Sequence, residues 1–421
     1  MPKLRIRYVG PIMEGFHEND GFMEISPVVL ICGDQATGKS TIAKLYSTFC
    51  WLEKSMQKDL NKVEYKKEDF LSLLKNQRID KYVNKESEID YVGDIYSFSY
   101  RNDIFSATRI SDSENYVRPK IMYIPSERNM LTVLEDSENM KNLPLMVSIL
   151  MDEYRKARRR LAKISYRLPV SDISITYNQD TSRTMVVTED RHIDITDASS
   201  GIQSVTPLSI VSDYLSEEVN TSVVENIQNL SLAEREDLKQ RIKDILESDK
   251  MELNGAFDQM FKTGSVKGID SRSVEILKSL LNRYFNSRFI NIVEEPEQNL
   301  YPESQCKVLY KLLECLNSNI GNQLIITTHS PYIISYLTLA AKAKQIASVS
   351  VPVERISHIV PEKAMVSGDV ISIYETDKDG NIRILKSYEN LPSDENMLNK
   401  ELAEFNELFS ELLDLEAEFC V

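Results

Sequence analysis

The chain has 421 residues, 27% of them charged, and a formal net charge of −15. That length can bury a large core in one large domain or two to three smaller ones. The acidic balance excludes indiscriminate coating of nucleic acid, which needs clustered Lys and Arg, but leaves room for a local basic site.

No run of about 18 apolar residues is present, so no membrane span is expected. Met1–Arg7 alternates basic and apolar residues without the apolar centre of a signal peptide. The five cysteines (Cys32, Cys50, Cys306, Cys315, Cys420) form no C-x-x-C pair and read as reduced thiols of a cytoplasmic protein.

Leu4–Val9 reads as a strand, Gly10-Pro11 breaks it, and Met23-Glu24-Ile25 leads into Pro27–Cys32, an apolar run rich in β-branched residues and expected to be a buried strand. Gly33-Asp34-Gln35-Ala36-Thr37-Gly38-Lys39-Ser40-Thr41 then fits G-x-x-x-x-G-K-[ST], the phosphate-binding loop. Behind it Ile42, Leu45, Phe49, Leu52, Met56 and Leu60 recur at spacings of three and four, which predicts a helix to about Val63. In a strand–loop–helix setting the loop's N–H groups and the helix N-terminus face phosphates, Lys39 reaches the β- and γ-phosphates, and the Ser40 hydroxyl can ligate Mg²⁺.

Residues 64–92 are polar, with a weak helix at Phe70–Leu74, and read as a surface excursion. Ile95–Tyr100 and Lys120–Ile124 read as strands. The second ends in the polar loop Pro125–Asn129, where open α/β sheets place ligand-binding groups. Glu127 and Arg128 in that loop read as a surface ion pair. Residues 131–168 are mainly helical and hold the densest basic cluster: Arg155, Lys156, Arg158, Arg159, Arg160 and Lys163. Such a cluster serves either as a contact for a phosphate backbone or as a solvated or acid-paired helix face.

Ile173–Tyr177 and Thr184–Thr188 are expected to form a hairpin. Ala198–Gln203 opens a helical run to Leu215, and 217–283 is a long, charge-rich helical segment. Phe289–Val293 is a buried strand ending in Glu294-Glu295-Pro296-Glu297. A helix from Pro302 to Asn317 leads to the run Gln323–Pro331. Strands are expected near 356–360 and 369–374, then a hairpin at Asp379-Gly380. Asp377-Lys378-Asp379 spells the D-x-D of metal-dependent nuclease modules, but the turn already explains it, and no nuclease activity is expected. An acidic amphipathic helix, about 394–419, closes the chain. Its Leu402, Phe405, Leu408, Leu412, Leu415 and Phe419 either pack on their own domain or dock a partner.

Four segments in this order resemble the ABC-type ATPase superfamily: the loop Gly33–Thr41, the signature-like Ser199-Ser200-Gly201-Ile202-Gln203, the Walker B-like Val293–Glu297 and the switch segment Thr327-Thr328-His329-Ser330-Pro331. E-E-P-E-x-x-L-x-P (Glu294–Pro302) and T-H-S-P (Thr328–Pro331) are similar to the soluble branch with the SMC, RecF and OLD proteins, and nearest to antiviral-defence ATPases of the Septu and PARIS kind. The resemblance implies an α/β fold with an N-terminal β-layer, a central parallel sheet and helical insertions.

It also implies ATP and Mg²⁺ as cofactors. By resemblance Glu294 supports the Mg²⁺ shell together with Ser40, Glu295 polarises the attacking water, and His329 contacts the γ-phosphate. Ser199, Ser200 and Gly201 would reach ATP held by a second subunit, making a head-to-tail homodimer that controls an effector in antiphage defence. The alternatives are a DNA-maintenance ATPase of SMC or RecF type that binds DNA through the basic helix, and a scaffold clamped by ATP with little turnover. The expected divisions are an N-terminal ATPase part at 1–130, a basic helical segment at 131–170, the hairpin and signature at 171–216, a helical insertion at 217–283, a C-terminal ATPase part at 284–375 and the closing hairpin and helix at 376–421.

Overall fold

The structure is a computed structural model that describes residues 1–58, 65–111, 116–134, 143–220, 285–349 and 351–419, together with 232, 235–238 and 240–242. The first strands are β1 (Lys3–Arg7), β2 (Gly15–Phe16), β3 (Met23–Glu24) and β4 (Val28–Gly33), followed by helices α1 (Lys39–Lys58) and α2 (Lys67–Asn76). Then come β5 (Glu88–Val92), β6 (Tyr96–Arg101), β7 (Ile104–Arg109), β8 (Pro119–Ile124), α3 (Met130–Val133) and α4 (Leu145–Arg160). β9 (Tyr166–Arg167), β10 (Ser174–Asn178), β11 (Arg183–Val187) and β12 (His192–Asp194) precede α5 (Ser200–Glu218). The C-terminal part holds β13 (Arg288–Glu294), α6 (Pro302–Asn317), β14 (Gln323–Thr328), α7 (Pro331–Ala347), α8 (Val353–Ile356), β15 (Ile371–Thr376), β16 (Asn381–Ile384) and α9 (Met397–Phe419).

A seven-stranded sheet in the order β2-β16-β15-β4-β14-β13-β8 forms the centre, and its run β15-β4-β14-β13-β8 is parallel throughout. The architecture is therefore α/β. Strand β4 is buried at every position because both faces of the sheet are covered. Its side chains alternate between two cores. Val28, Leu30 and Cys32 join the core built with α4, α5, α6 and α7. Val29 and Ile31 face α1 and an antiparallel sheet of order β3-β1-β5-β6-β7. Phe49 of α1 stacks on Tyr91 at 5.1 Å and on Phe70 at 5.7 Å, which ties helix, sheet and α2 together. Proline at the first position of α6 and of α7 presets the helical φ where no N–H is needed.

Two expectations are overturned. Residues 64–92 are not a surface excursion: α2 buries Phe70 and Leu74 completely, and β5 is an interior strand of the antiparallel sheet. Its charged residues hid it, since Asp90 is buried by pairing with Arg5 and Arg101. Residues 356–360 are not a strand. Pro352 starts a helical turn in which Ile356 and Val360, four apart, are buried while Ile359 is exposed. The expected helical insertion at 217–283 lies largely outside the described residues, as do Leu60, Val63 and Cys420. Among the described residues no helix is long and apolar enough to cross a membrane.

Candidate active site

The register of the parallel strands brings their C-terminal ends to one edge. Glu294 pairs with Thr327, Thr327 with Ile31, Thr328 with Cys32, and Gly33 with Thr376. The polar residues at the C-terminal ends of these strands, Glu294, Thr327, Thr328 and Thr376, are thereby collected at one place.

The loop Gly33–Thr41 turns through three left-handed positions: Gly33 (φ 150°), Ala36 (φ 61°) and Gly38 (φ 101°). A Cβ at Gly38 would lie 2.7 Å from Cγ1 of Ile12, so the backbone is pressed against its neighbours. Thr37 bonds Thr376 hydroxyl to hydroxyl at 2.6 Å and donates to the Asp34 carbonyl at 2.8 Å. Lys378, from the hairpin after β15, pairs with Asp34 at 2.6 Å and holds that carboxyl below its usual range. Gln35 and Ala36 are exposed at the tip, and Ser40 and Thr41 open α1.

Lys39 is buried, and its ammonium donates to the carbonyls of Gly33 at 2.9 Å and Asp34 at 2.5 Å. Burial lowers its proton affinity. A buried ammonium whose hydrogen-bond partners are neutral carbonyls, beside the N-terminal N–H groups of a helix, fits a phosphate ligand.

Glu294 is buried at the end of β13. The Tyr123 hydroxyl donates to its Oε1 at 2.5 Å, and the Ser126 N–H approaches Oε2 at 3.3 Å. Each oxygen keeps a free lone pair for a metal's water shell. Glu295 is half-buried, with a left-handed φ of 44° that swings its carboxylate off the strand. Its Oε1 lies 3.3 Å from Nε2 of His329. That hydrogen bond, reinforced by the charges of Lys39 and Arg128, holds Glu295 below the usual carboxylate range despite partial burial. Lys39, Glu295 and His329 therefore share one local electrostatic environment.

Glu297 fastens the switch segment. Its Oε1 accepts from the Thr328 hydroxyl and the His329 N–H, each at 2.7 Å. Ser330 is pinned separately by donating to Gln305 at 2.6 Å.

Arg128 contradicts the expected surface ion pair. It is 1% exposed, and its guanidinium donates to the carbonyls of Glu294 at 2.7 Å, Glu295 at 2.8 Å and Ser204 at 3.2 Å. These partners are backbone atoms far away in sequence, so no motif could point to them. The motif reading also passed over Tyr123, Glu297, Thr376 and Lys378. Of these, Glu297 and Lys378 stand inside named segments, the Walker B-like stretch and the D-x-D, without being given a role there.

Ser199 occupies the N-cap position of α5, but its side chain makes no capping bond, and Ser199 and Ser200 are exposed. Gly201 abuts the segment after Glu297: a Cβ there would lie 2.8 Å from the Asn299 carbonyl. The basic cluster does not form one open face. Arg158 is buried against Tyr154 and Tyr177, Lys156 pairs with Glu153, and Arg160 pairs with Glu217. Arg155 lies 3.8 Å from Asp152, and Arg159 and Lys163 are exposed. Asp377 accepts from the N–H groups of Asp379 and Asn381, so the D-x-D is the turn of the β15–β16 hairpin.

A glycine-containing loop thus lies between a buried central strand and a helix, with paired carboxylates at the end of a parallel strand of the same sheet. Residues 283–334, which carry those carboxylates and the switch segment, match the family model described as an AAA ATPase domain. No curated protein matches significantly.

Solved structures with a similar backbone path include an Smc head bound to the C-winged helix domain of ScpA, at 9% identity, 92% of this chain, 97% of that chain and TM-score 0.35. The SMC head domain from Thermotoga maritima is similar at 8% identity, 79% of this chain, 90% of that chain and TM-score 0.32. A dimeric post-hydrolysis ATP-binding cassette bound to ADP and Pi is similar at 10% identity, 92% of this chain, the whole of that chain and TM-score 0.29. These overlaps are weak.

Proposed function

We propose that this chain is an ABC-type ATPase that dimerises head-to-tail around Mg²⁺-ATP and uses that cycle to control a partner effector in bacterial antiphage defence. The observation that supports the reading is the meeting of Lys39, Glu295 and His329 at one sheet edge, with Glu295 and His329 3.3 Å apart. Bound ATP supplies the transferable phosphoryl group, and Mg²⁺ neutralises charge on it.

The chain's own residues then have distinct tasks. Lys39 exchanges its two carbonyl partners for phosphate oxygens. Glu295, ionised and aimed by His329, accepts a proton from the attacking water. Ser40 and Glu294 would hold the metal shell. The exposed hydroxyls of Ser199 and Ser200 and the N-terminus of α5 are free to meet a nucleotide held by a second copy. The defence role and the effector rest on the resemblance of the E-E-P-E and T-H-S-P segments.

Two variants test the chemistry. Glu295→Gln keeps the shape and removes the base, so turnover should fall by about 10²-fold or more while ATP-dependent dimers accumulate in light scattering. Wild-type turnover in this variant would remove Glu295 from the proposed role. Lys39→Ala should abolish ATP binding in a calorimetric titration, and retained affinity would contradict the phosphate role.

A further inference from the structure

Helix α9 is rooted at its first turn and then leaves the body of the protein. Leu398 is buried in the core, the Met397 N–H donates to Glu375 at 2.7 Å, and Asn399 bonds the Asp394 carbonyl at 2.8 Å. Every residue from Glu401 to Glu418 is exposed. The side chains along that length are not those of a solvated helix. Phe405 and Leu412 fall seven residues apart, Leu408 and Leu415 do the same, and Leu402 and Phe409 widen the stripe. These six are 51–67% exposed. The spacing is a heptad with apolar residues at three of its seven positions, the pattern of a helix that buries one face in a groove. Of the two alternatives the sequence left open, packing on its own domain holds for the first turn of the helix and not for residues 401–418.

Charge selects what covers the stripe. Glu404, Glu411 and Glu418 also recur every seven residues and border the stripe on one side. The helix holds seven carboxylates against one lysine, and its last turn is acidic without a base. Acids there oppose the negative end of the helix dipole. A second copy would bring another acidic helix against this one, and antiparallel pairing would set glutamate against glutamate. A cationic surface relieves both conflicts.

We propose that α9 is a docking helix for a partner protein presenting an apolar groove edged by lysine and arginine. Phe405 and Leu412 anchor it, and Glu404, Glu411 and Glu418 face the basic edge. This names the chemistry of the controlled partner and rests on the ATPase reading only for what the docking accomplishes.

The test uses the full chain and two synthetic 21-residue helical peptides with leucine at the a and d positions. One carries lysine at e and g, the other glutamate. Fluorescence anisotropy should show the lysine peptide binding in the micromolar range and the glutamate peptide about a hundredfold more weakly. The double variant Phe405→Ser, Leu412→Ser should lose about tenfold or more in affinity for the lysine peptide. Glu404→Lys, Glu411→Lys and Glu418→Lys together should reverse the peptide preference.

Undiminished lysine-peptide binding by the double serine variant would reduce the effect to bulk charge and overturn the proposal. So would the absence of binding by either peptide, or a dimer that becomes a monomer when 401–419 are deleted. All substituted positions are exposed, so an unchanged thermal melt separates these outcomes from misfolding. An ATP titration on the same samples reads the nucleotide proposal independently.

Discussion

A single guanidinium holds the candidate site in shape. Arg128 spans the backbone carbonyls of Glu294 and Glu295, at and just past the end of β13, and the Ser204 carbonyl on α5. Burial pushes its pKa down to about 10, with Glu297, Glu295 and Glu294 pulling it back up, so it remains a cation at neutral pH. Lysine cannot reproduce this, because an ammonium donates from one point and a guanidinium from a planar fork. Arg128→Lys should cost roughly 2–4 kcal/mol in urea unfolding through orphaned carbonyls. It should also lower ATP turnover while leaving ATP affinity nearly intact, since no bond to the P-loop is lost. Equal losses in affinity and turnover would show instead that the whole edge collapses.

At the scale of elements, what could be read from the chain followed from how local the signal was. Strand β4, the loop and α1 declare themselves because periodicity and glycine placement are local. Helix α6 is found at its expected ends because Pro302 marks its start. Strand β5 was missed because its sequence, Glu-Ile-Asp-Tyr-Val, reads as polar until Asp90 is seen against Arg5 on β1 and Ser99 on β6. Burial alone would raise the Asp90 pKa, yet the bonds from Arg101, Ser99 and Arg5 outweigh it and leave the carboxyl lowered. Its contribution to stability is complete above the unfolded value of about 3.9 and is lost as pH falls through the lower folded value. Asp90→Asn should therefore destabilise the antiparallel sheet by roughly 1–3 kcal/mol at pH 7. The gap between variant and wild type should close below about pH 3.9, measured as urea midpoints against pH.

For the whole molecule, the order β2-β16-β15-β4-β14-β13-β8 interleaves strands from both ends of the chain, so the central sheet cannot form until the C-terminal part has arrived. The glycine loop after β4 and the carboxylates at the end of β13 are thus contributed by separate halves of the chain. Between those halves the chain leaves the sheet layer after α5 and returns at β13. At the exit, Asn220 reaches the Ser318 carbonyl at 3.3 Å, and at the return the Ser287 carbonyl accepts from Asn319 at 2.8 Å. Exit and return are moored to adjacent residues at the end of α6. A short Gly-Ser bridge from Asn220 to Phe285 should give a chain that still folds and binds ATP in a calorimetric titration. Exit and return at one socket make the span exchangeable: swapping it between relatives should leave the central sheet and the candidate site at its edge unaltered.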